Sequence, residues 1–284
     1  MRSIQLAKGA RLPLLGLGTW RMGERPSARV AEVAAIKTAI DIGYRLIDTA
    51  EMYGDGGAEE IVGEAVRSAV DAGTVRREEL VIVSKVLPNH ASRNGVLRAC
   101  ERSLKRLALQ TLDLYLLHWR GSVPLKDTIV AFEQLRDEGR IRYWGVSNFD
   151  TADMQALWTL PSGPRCAANQ VYYSASQRNA EFDLLPWHLA HDVVTMAYSP
   201  IDQGALARDP TFDVIGRRHG VSAASAALAW VLRQPGLVAV PKAVSEAHLR
   251  ANYRAADLDL TADDLALVDA RFPPPTRKRP LATT

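Results

Sequence analysis

The sequence predicts an α/β fold, a (β/α)₈ barrel preceded by an N-terminal β-hairpin and followed by a short C-terminal tail. Three observations carry that expectation. Short apolar runs alternate eight times with amphipathic segments of helical length, with no change of composition along the chain. The strand-like runs are apolar at nearly every position, as in strands covered on both faces. A doubly wound sheet would carry a Gly-rich phosphate turn after its first strand, and GLGTWRMG (16–23) has neither the spacing nor a capped helix behind it. A chain of 284 residues suits one such barrel, commonly about 250 residues long, so residues 1–284 are expected to form one domain.

Residues 3–14 read as the hairpin, with Lys8, Gly9 and Ala10 at its turn. Strands are expected at 14–18, 44–48, 80–85, 112–118, 143–147, 167–171, 193–198 and 237–241. Helices are expected near 28–42, 57–72, 92–108, 125–139, 151–158, 180–191, 222–234 and 245–255, with one more at 261–270. Ser27 stands before the first helix and Ser92 opens the third. Thr261 with Asp264 three residues on has the form of a capping box. After Phe272 the chain turns Pro-rich, and Arg277-Lys278-Arg279 reads as a solvated end.

Bulk composition excludes several classes of function. At 47% hydrophobic and 24% charged, the chain has ample core material. Its net charge of +3 is spread out, which argues against a nucleic-acid face. The run 12–17 is too short and broken for a signal peptide or a membrane span, which needs about 20 apolar residues. Cys100 and Cys166 are too few for a disulfide framework, so a reducing, cytoplasmic setting without membrane partners is expected. Both cysteines read as core thiols. His188 and His191 lie three apart on a helix, but no further ligand motif accompanies them, and no metal site is expected.

In a barrel of this kind the reactive groups lie at the C-terminal ends of the strands. Polar residues fall there in turn: Asp48 and Tyr53, Lys85, His118 and Trp119, Ser147 and Asn148, Asn169 and Gln170, Tyr198 and Ser199, and Lys242. Any one of these reads most simply as a loop or core residue. Barrel packing alone gives no reason for all of them. An acid, a phenol, a cation and an imidazole meeting on one rim outline a proton relay for carbonyl reduction.

The stretches LGTW (17–20), LIDTAEMYG (46–54), LDLYLLH (112–118), GVSNF (145–149), Asn169-Gln170, YSP (198–200) and Pro241-Lys242 together resemble the aldo-keto reductases over nearly the whole chain. AEMYGDGGAEE (50–60) and His118-Trp119 are most similar to bacterial members of the methylglyoxal-reductase type. The resemblance implies NADPH-dependent reduction of aldehydes and ketones to alcohols, with small aldehydes, dicarbonyls such as methylglyoxal and aryl aldehydes as substrates. Tyr53 would be the general acid, Lys85 its charged partner, Asp48 the counter-charge to Lys85, and His118 the group that orients the carbonyl. An opposite charge nearby moves a pKa by about 1–3 units toward the charged form, so Lys85 is expected to acidify Tyr53.

For the cofactor, NADP(H), the resemblance implies Tyr198 against the nicotinamide and Ser147, Asn148 and Gln170 at its carboxamide. Thr19, Trp20 and the loop Ser199, Pro200, Ile201, Gln203, Gly204 and Leu206 would lie along it. Lys242, Ala243, His248 and Asn252 would take the adenosine end. Many NADPH-dependent relatives carry an Arg where this chain has His248, so the grip on the 2′-phosphate is expected to be thinner. Trp20, Met22, Met52, Val86 and Trp119 are expected to line the substrate pocket, open because the tail is short. A monomer with a small-molecule carbonyl substrate is the leading reading. The alternative is a nicotinamide-binding sensor or regulatory subunit with slow turnover.

Overall fold

The computed structural model describes residues 3–5 and 11–283, so the hairpin turn at Lys8, Gly9 and Ala10 lies outside the described residues. Strands β1 (Ser3–Gln5) and β2 (Arg11–Pro13) pair antiparallel. Eight parallel strands follow: β3 (Leu17–Gly18), β4 (Leu46–Asp48), β5 (Val81–Val86), β6 (Leu112–Leu117), β7 (Ile141–Ser147), β8 (Ala168–Tyr172), β9 (Val194–Tyr198) and β10 (Leu237–Ala239), each beside its neighbour in sequence. The first and last strands also meet. Gly16 N–H donates to the Ala239 carbonyl at 2.8 Å, Ala239 N–H to that of Leu14 at 2.8 Å, and Gly18 N–H to that of Pro241 at 3.1 Å. These bonds close the sheet into a barrel and remove its edges.

The closure explains why β3 is shorter than the expected 14–18. Its first half pairs across the seam with β10 and only its second half with β4. Inside the barrel, Leu46, Val83, Leu114, Leu116, Val194, Met196 and Val238 pack together, with Leu12 of the hairpin against them. The hairpin thus seals one end and leaves the C-terminal rim open. Between sheet and helices lies a second, larger core that includes Tyr115, Phe132, Trp144 and Trp230.

The helices are α1 (Arg29–Ile42), α2 (Gly57–Asp71), α3 (Arg93–Leu107), α4 (Leu125–Asp137), α5 (Thr151–Trp158), α6 (Leu184–Ala190), α7 (Pro210–His219), α8 (Ala223–Leu232), α9 (Glu246–Ala255) and α10 (Ala262–Arg271). Ser92 and Thr261 cap α3 and α10 as their sequence patterns suggest. Three local expectations fail. Ser27 is not a cap: Pro26, which lacks an N–H, starts a 3₁₀ turn through Ala28, and α1 begins without a side-chain cap. The segment 180–191 is a 3₁₀ turn at Asn179–Glu181 followed by the shorter α6. Helix α7 was not foreseen, although Asp209 accepts from Thr211 N–H, Pro210 occupies the first turn, and Gly220 ends the helix at φ 65°. Among the described residues, no helix is long and apolar enough to cross a membrane. No group of three or more His, Cys, Asp or Glu is placed there to hold a metal ion. His188 is buried and bonds Asn169 and Thr195 instead, and both cysteines are buried thiols.

Candidate active site

Alternation along β5 builds the centre of the site. Val83 and Lys85 point into the barrel, while Ser84 faces α2 and donates to Glu59. Lys85 is fully buried, and four oxygens surround its Nζ: Asp48 Oδ2 at 2.8 Å, Asp48 Oδ1 at 2.9 Å, the Thr49 carbonyl at 2.9 Å and the Tyr53 hydroxyl at 3.3 Å. Asp48 Oδ1 also accepts from Gln170 Nε2 at 2.8 Å, and the Asp48 carbonyl accepts from Thr19 Oγ1 at 3.0 Å. An ion pair this deep survives only when its remaining hydrogen-bonding capacity is met. Here it is met on both sides.

The electrostatics follow from that pairing. Burial favours the neutral form of Lys85, but the Asp48 carboxylate and the Tyr53 oxygen outweigh it and hold the ammonium above its ordinary pKa. Burial pushes the Tyr53 phenol up, and the pull of Lys85 is partly cancelled by Asp48, so its pKa lies above the ordinary value. The expectation of an acidified Tyr53 is therefore corrected: burial outweighs the pull of Lys85, and the carboxylate that secures Lys85 cancels part of that pull. His118 goes the other way. Burial and the Lys85 charge lower its pKa to about 3, so the imidazole is neutral at physiological pH. Its Nδ1 is buried without a partner among the described residues, which favours the tautomer with the proton on Nε2. The rings of Tyr53 and His118 meet edge to face at 5.8 Å.

All four groups border the barrel's C-terminal rim, and Asp48, Tyr53 and His118 line a cavity of about 430 Å³ there. Trp20, Met52 and Trp119 form part of its wall, the last two being 40% and 38% exposed. Met22 and Val86 do not reach it. Val86 follows Lys85 on the strand and so faces the helices, and Met22 is buried in the outer core. Arg21, which the sequence reading passed over between Trp20 and Met22, does line the cavity, as do Gly18, Val240 and Pro241.

The expected cofactor positions divide into two groups. Ser147, Asn148, Gln170 and Tyr198 line one wall of the cavity. Ser199, Pro200, Ile201, Gln203 and Gly204 continue it, and Lys242 stands at its edge. Tyr198 is backed by Tyr172, ring centroids 5.4 Å apart at 28°, and its hydroxyl donates to Asn148 Oδ1 at 2.9 Å. Asn148 Nδ2 donates to the His118 carbonyl at 3.2 Å, which links this wall to the strand end that carries His118. The loop 199–204 is held down by Asp202, whose two oxygens accept from the Tyr172 hydroxyl and, at 2.8 Å, from Ser176. Thr19, Leu206 and Ala243 are buried outside the cavity wall. His248 is exposed on the first turn of α9, where its N–H bonds Ser245, and Asn252 is buried one turn further on; neither lines the cavity. Arg250 turns to Glu246 at 2.7 Å.

A flat aromatic platform, side-chain amides beside it and a lysine at the far edge of one continuous cavity fit a nicotinamide nucleotide. With the buried Lys–Asp–Tyr relay next to that platform, the fold and site define a barrel oxidoreductase. The comparisons with known proteins agree. The sequence pattern of the Aldo/keto reductase family matches residues 14–271. Methylglyoxal reductase YeaE of Escherichia coli (strain K12) is 45% identical over 285 residues, covering 99% of this chain and 98% of that protein. The crystal structure of an aldo-keto reductase from Klebsiella pneumoniae in complex with NADPH superposes with a TM-score of 0.94 at 46% identity, covering 100% of this chain and 99% of that one. A second crystal structure, of aldo/keto reductase from Klebsiella pneumoniae in complex with NADP and acetate, gives 0.94 at 47% identity over 99% of both chains. The chain belongs to the aldo/keto reductase family and is an NADP-dependent oxidoreductase of carbonyl compounds.

Proposed function

We propose that this enzyme reduces small aldehydes, dicarbonyls of the methylglyoxal kind and aryl aldehydes to alcohols, with Tyr53 as the proton donor. One observation carries the reading: the buried Lys85 ammonium bonds the Asp48 carboxylate and the Tyr53 hydroxyl together, on a rim where His118 is neutral. When bound, the nicotinamide supplies hydride to the carbonyl carbon; Tyr198, Ser147, Asn148 and Gln170 would hold it.

The chain's own residues manage the oxygen. As electrons move onto it, the substrate oxygen becomes far more basic than a phenolate, so transfer of the Tyr53 hydroxyl proton runs downhill despite the raised pKa of the phenol. The raised pKa keeps that proton in place until it is needed. Once the proton leaves, Lys85 at 3.3 Å stabilises the phenolate, and Asp48 holds Lys85 charged and aimed. His118, carrying its proton on Nε2, donates a hydrogen bond to the carbonyl oxygen and cannot compete as an acid.

The open mouth supports a small and varied substrate range. No described residue beyond Lys242 lines the cavity, and the tail is tied elsewhere, with Lys278 on Asp183 at 3.0 Å and Asn179 bonding the Pro280 carbonyl at 2.8 Å. NADPH oxidation with methylglyoxal, 4-nitrobenzaldehyde and a panel of ketones tests the proposal. Tyr53→Phe is expected to lower turnover about 10²–10⁴-fold while NADPH still binds. Near-normal turnover by that variant would overturn the assignment of Tyr53.

A further inference from the structure

Glu51 stands two residues before Tyr53, and its side chain is buried, only 5% exposed. What it holds follows from the register of β4 on β5. Asp48 pairs with Val83, so the parallel ladder runs on through Thr49 N–H to the Val83 carbonyl at 2.9 Å and Glu51 N–H to the Lys85 carbonyl at 3.4 Å. The next bond of that ladder would take Leu87 N–H to the Glu51 carbonyl. The backbone turns away first: Tyr53 N–H donates to the Ala50 carbonyl at 3.1 Å, opening the loop that carries the phenol. Glu51 Oε1 takes the place of its own carbonyl and accepts from Leu87 N–H at 2.8 Å. Pro88 follows with no N–H to give, so this is the last rung. One residue thus joins the entrance of the Tyr53 loop to the strand end just beyond Lys85, by backbone and by side chain.

The carboxylate is itself steadied from outside. His90 Nδ1 lies 2.9 Å from Oε1, and Arg102 donates to Oε2 at 3.5 Å. The loop beyond needs such support, because Asp55 within it is left-handed at φ 53°, a conformation that persists only where contacts over-determine it. Past Tyr53 the loop is pinned by packing. A Cβ on Gly54 would sit 2.7 Å from the carbonyl carbon of Gly23, whose N–H donates to the Glu32 carboxylate at 3.0 Å. Ahead of Tyr53 the corresponding tie is the Glu51 carboxylate.

We propose that Glu51 is a positioning residue for the reduction: by tying the entrance of the Tyr53 loop to the end of β5, it sets the Tyr53 hydroxyl 3.3 Å from Lys85 Nζ and so fixes where the proton is delivered. The inference rests on the reading of Tyr53 as proton donor. Placement is worth much in rate, since a shift of about 1 Å costs up to about 10²-fold. Asp113 supplies the control for a merely structural tie. Its carboxylate accepts from Ile82 N–H at 2.9 Å, a bond of the same kind to the same strand, at the end of β5 away from Tyr53.

The test measures kcat and KM for 4-nitrobenzaldehyde, the dissociation constant of NADPH by fluorescence and the urea unfolding midpoint for the wild type and each variant. Glu51→Ala is expected to lose about tenfold in kcat, with NADPH bound within about twofold of wild type. Glu51→Gln keeps an oxygen for Leu87 N–H and is expected to recover kcat to within about threefold of wild type. Glu51→Asp keeps the charge one methylene short of Leu87 and carries the test if the alanine variant fails to fold; it is expected to lose about threefold or more in kcat. Asp113→Ala is expected to unfold at lower urea with kcat within about twofold of wild type. A Glu51→Ala loss that Asp113→Ala matches, or that weaker NADPH binding accounts for, overturns the proposal. So does a Glu51→Gln variant no better than Glu51→Ala. Near-normal turnover by Tyr53→Phe strikes the proton-donor reading and takes this inference with it, whereas an inactive Tyr53→Phe beside normal Glu51→Ala and Glu51→Asp variants overturns the inference alone.

Discussion

Replacing Lys85 by Met separates what the buried ion pair does for stability from what it does for catalysis. The ammonium touches four oxygens within 3.3 Å and has no exposure to water. Its removal leaves the Asp48 carboxylate, 4% exposed, with Gln170 as its remaining side-chain donor. Stripping one partner from a buried pair costs about 3–5 kcal/mol. That is a large part of a domain stability of about 5–15 kcal/mol.

Adding Asp48→Asn to Lys85→Met removes the second charge. An Asn amide oxygen still accepts from Gln170 Nε2, so the remaining deficit is chiefly the Thr49 carbonyl, costing about 1–2 kcal/mol. The double variant is therefore expected to be more stable than Lys85→Met by about 2–3 kcal/mol, a coupling that urea unfolding of the two single variants, the double variant and the wild type measures directly. Both Lys85 variants are expected to lose at least about 10²-fold in kcat, because the Tyr53 phenolate of the proposed mechanism has lost its counter-charge. A Lys85→Met protein within about 1 kcal/mol of wild type would refute the reasoning. A double variant no more stable than the single would refute it equally.

Two further outcomes follow from the same geometry. With Tyr53 as the proposed proton donor, reduction requires it protonated, and its raised pKa keeps that state present below the folded value and loses it only as pH rises through it; His118, lowered to about 3, stays neutral over the same range. The kcat/KM profile is thus expected to be level from about pH 5 to about pH 9, and an inflection near the free-histidine value of about 6.5 would mean that His118 titrates during turnover. Asp202→Ala removes the carboxylate that ties loop 199–204 to Tyr172 and Ser176. NADPH is expected to bind about tenfold more weakly, from two lost hydrogen bonds, with faster release of NADP⁺ in stopped-flow fluorescence; unchanged affinity and release would show that the loop holds its shape without Asp202.

The barrel was legible because doubly buried strands write themselves as unbroken apolar runs: β6 is buried at every position, Asp113 included. The meeting of Asp48, Tyr53, Lys85 and His118 was legible because polar groups after such runs have few structural excuses. What failed was side-chain direction and local turn chemistry. Val86 could have been rejected from the sequence, since neighbours on a strand point to opposite faces and Lys85 already takes the inner one. Asp209-Pro210 announced α7, but one helix per strand left no place for a second between β9 and β10. Met22 and Arg21 exchanged roles because the turn between them is left-handed at a residue other than glycine, which no propensity foretells.

That turn belongs to a wider pattern. Among the non-glycine residues with positive φ, Arg21, Asp55, Asn148, Ser199, Asp202 and Gln203 all lie on loops leaving the C-terminal ends of strands. Ala108 and Asp192, elsewhere, follow the ends of α3 and α6, where a left-handed residue is ordinary. Each such conformation costs about 1 kcal/mol or more, and it persists only where surrounding contacts over-determine it. Those contacts are present: the glycine packing and Glu32 at Arg21, three side-chain hydrogen bonds at Asn148, and Tyr172 with Ser176 at Asp202. The opposite end of the barrel, sealed by the hairpin, carries only these two helix-end residues among those described. Strain is therefore concentrated on the rim that carries the chemistry.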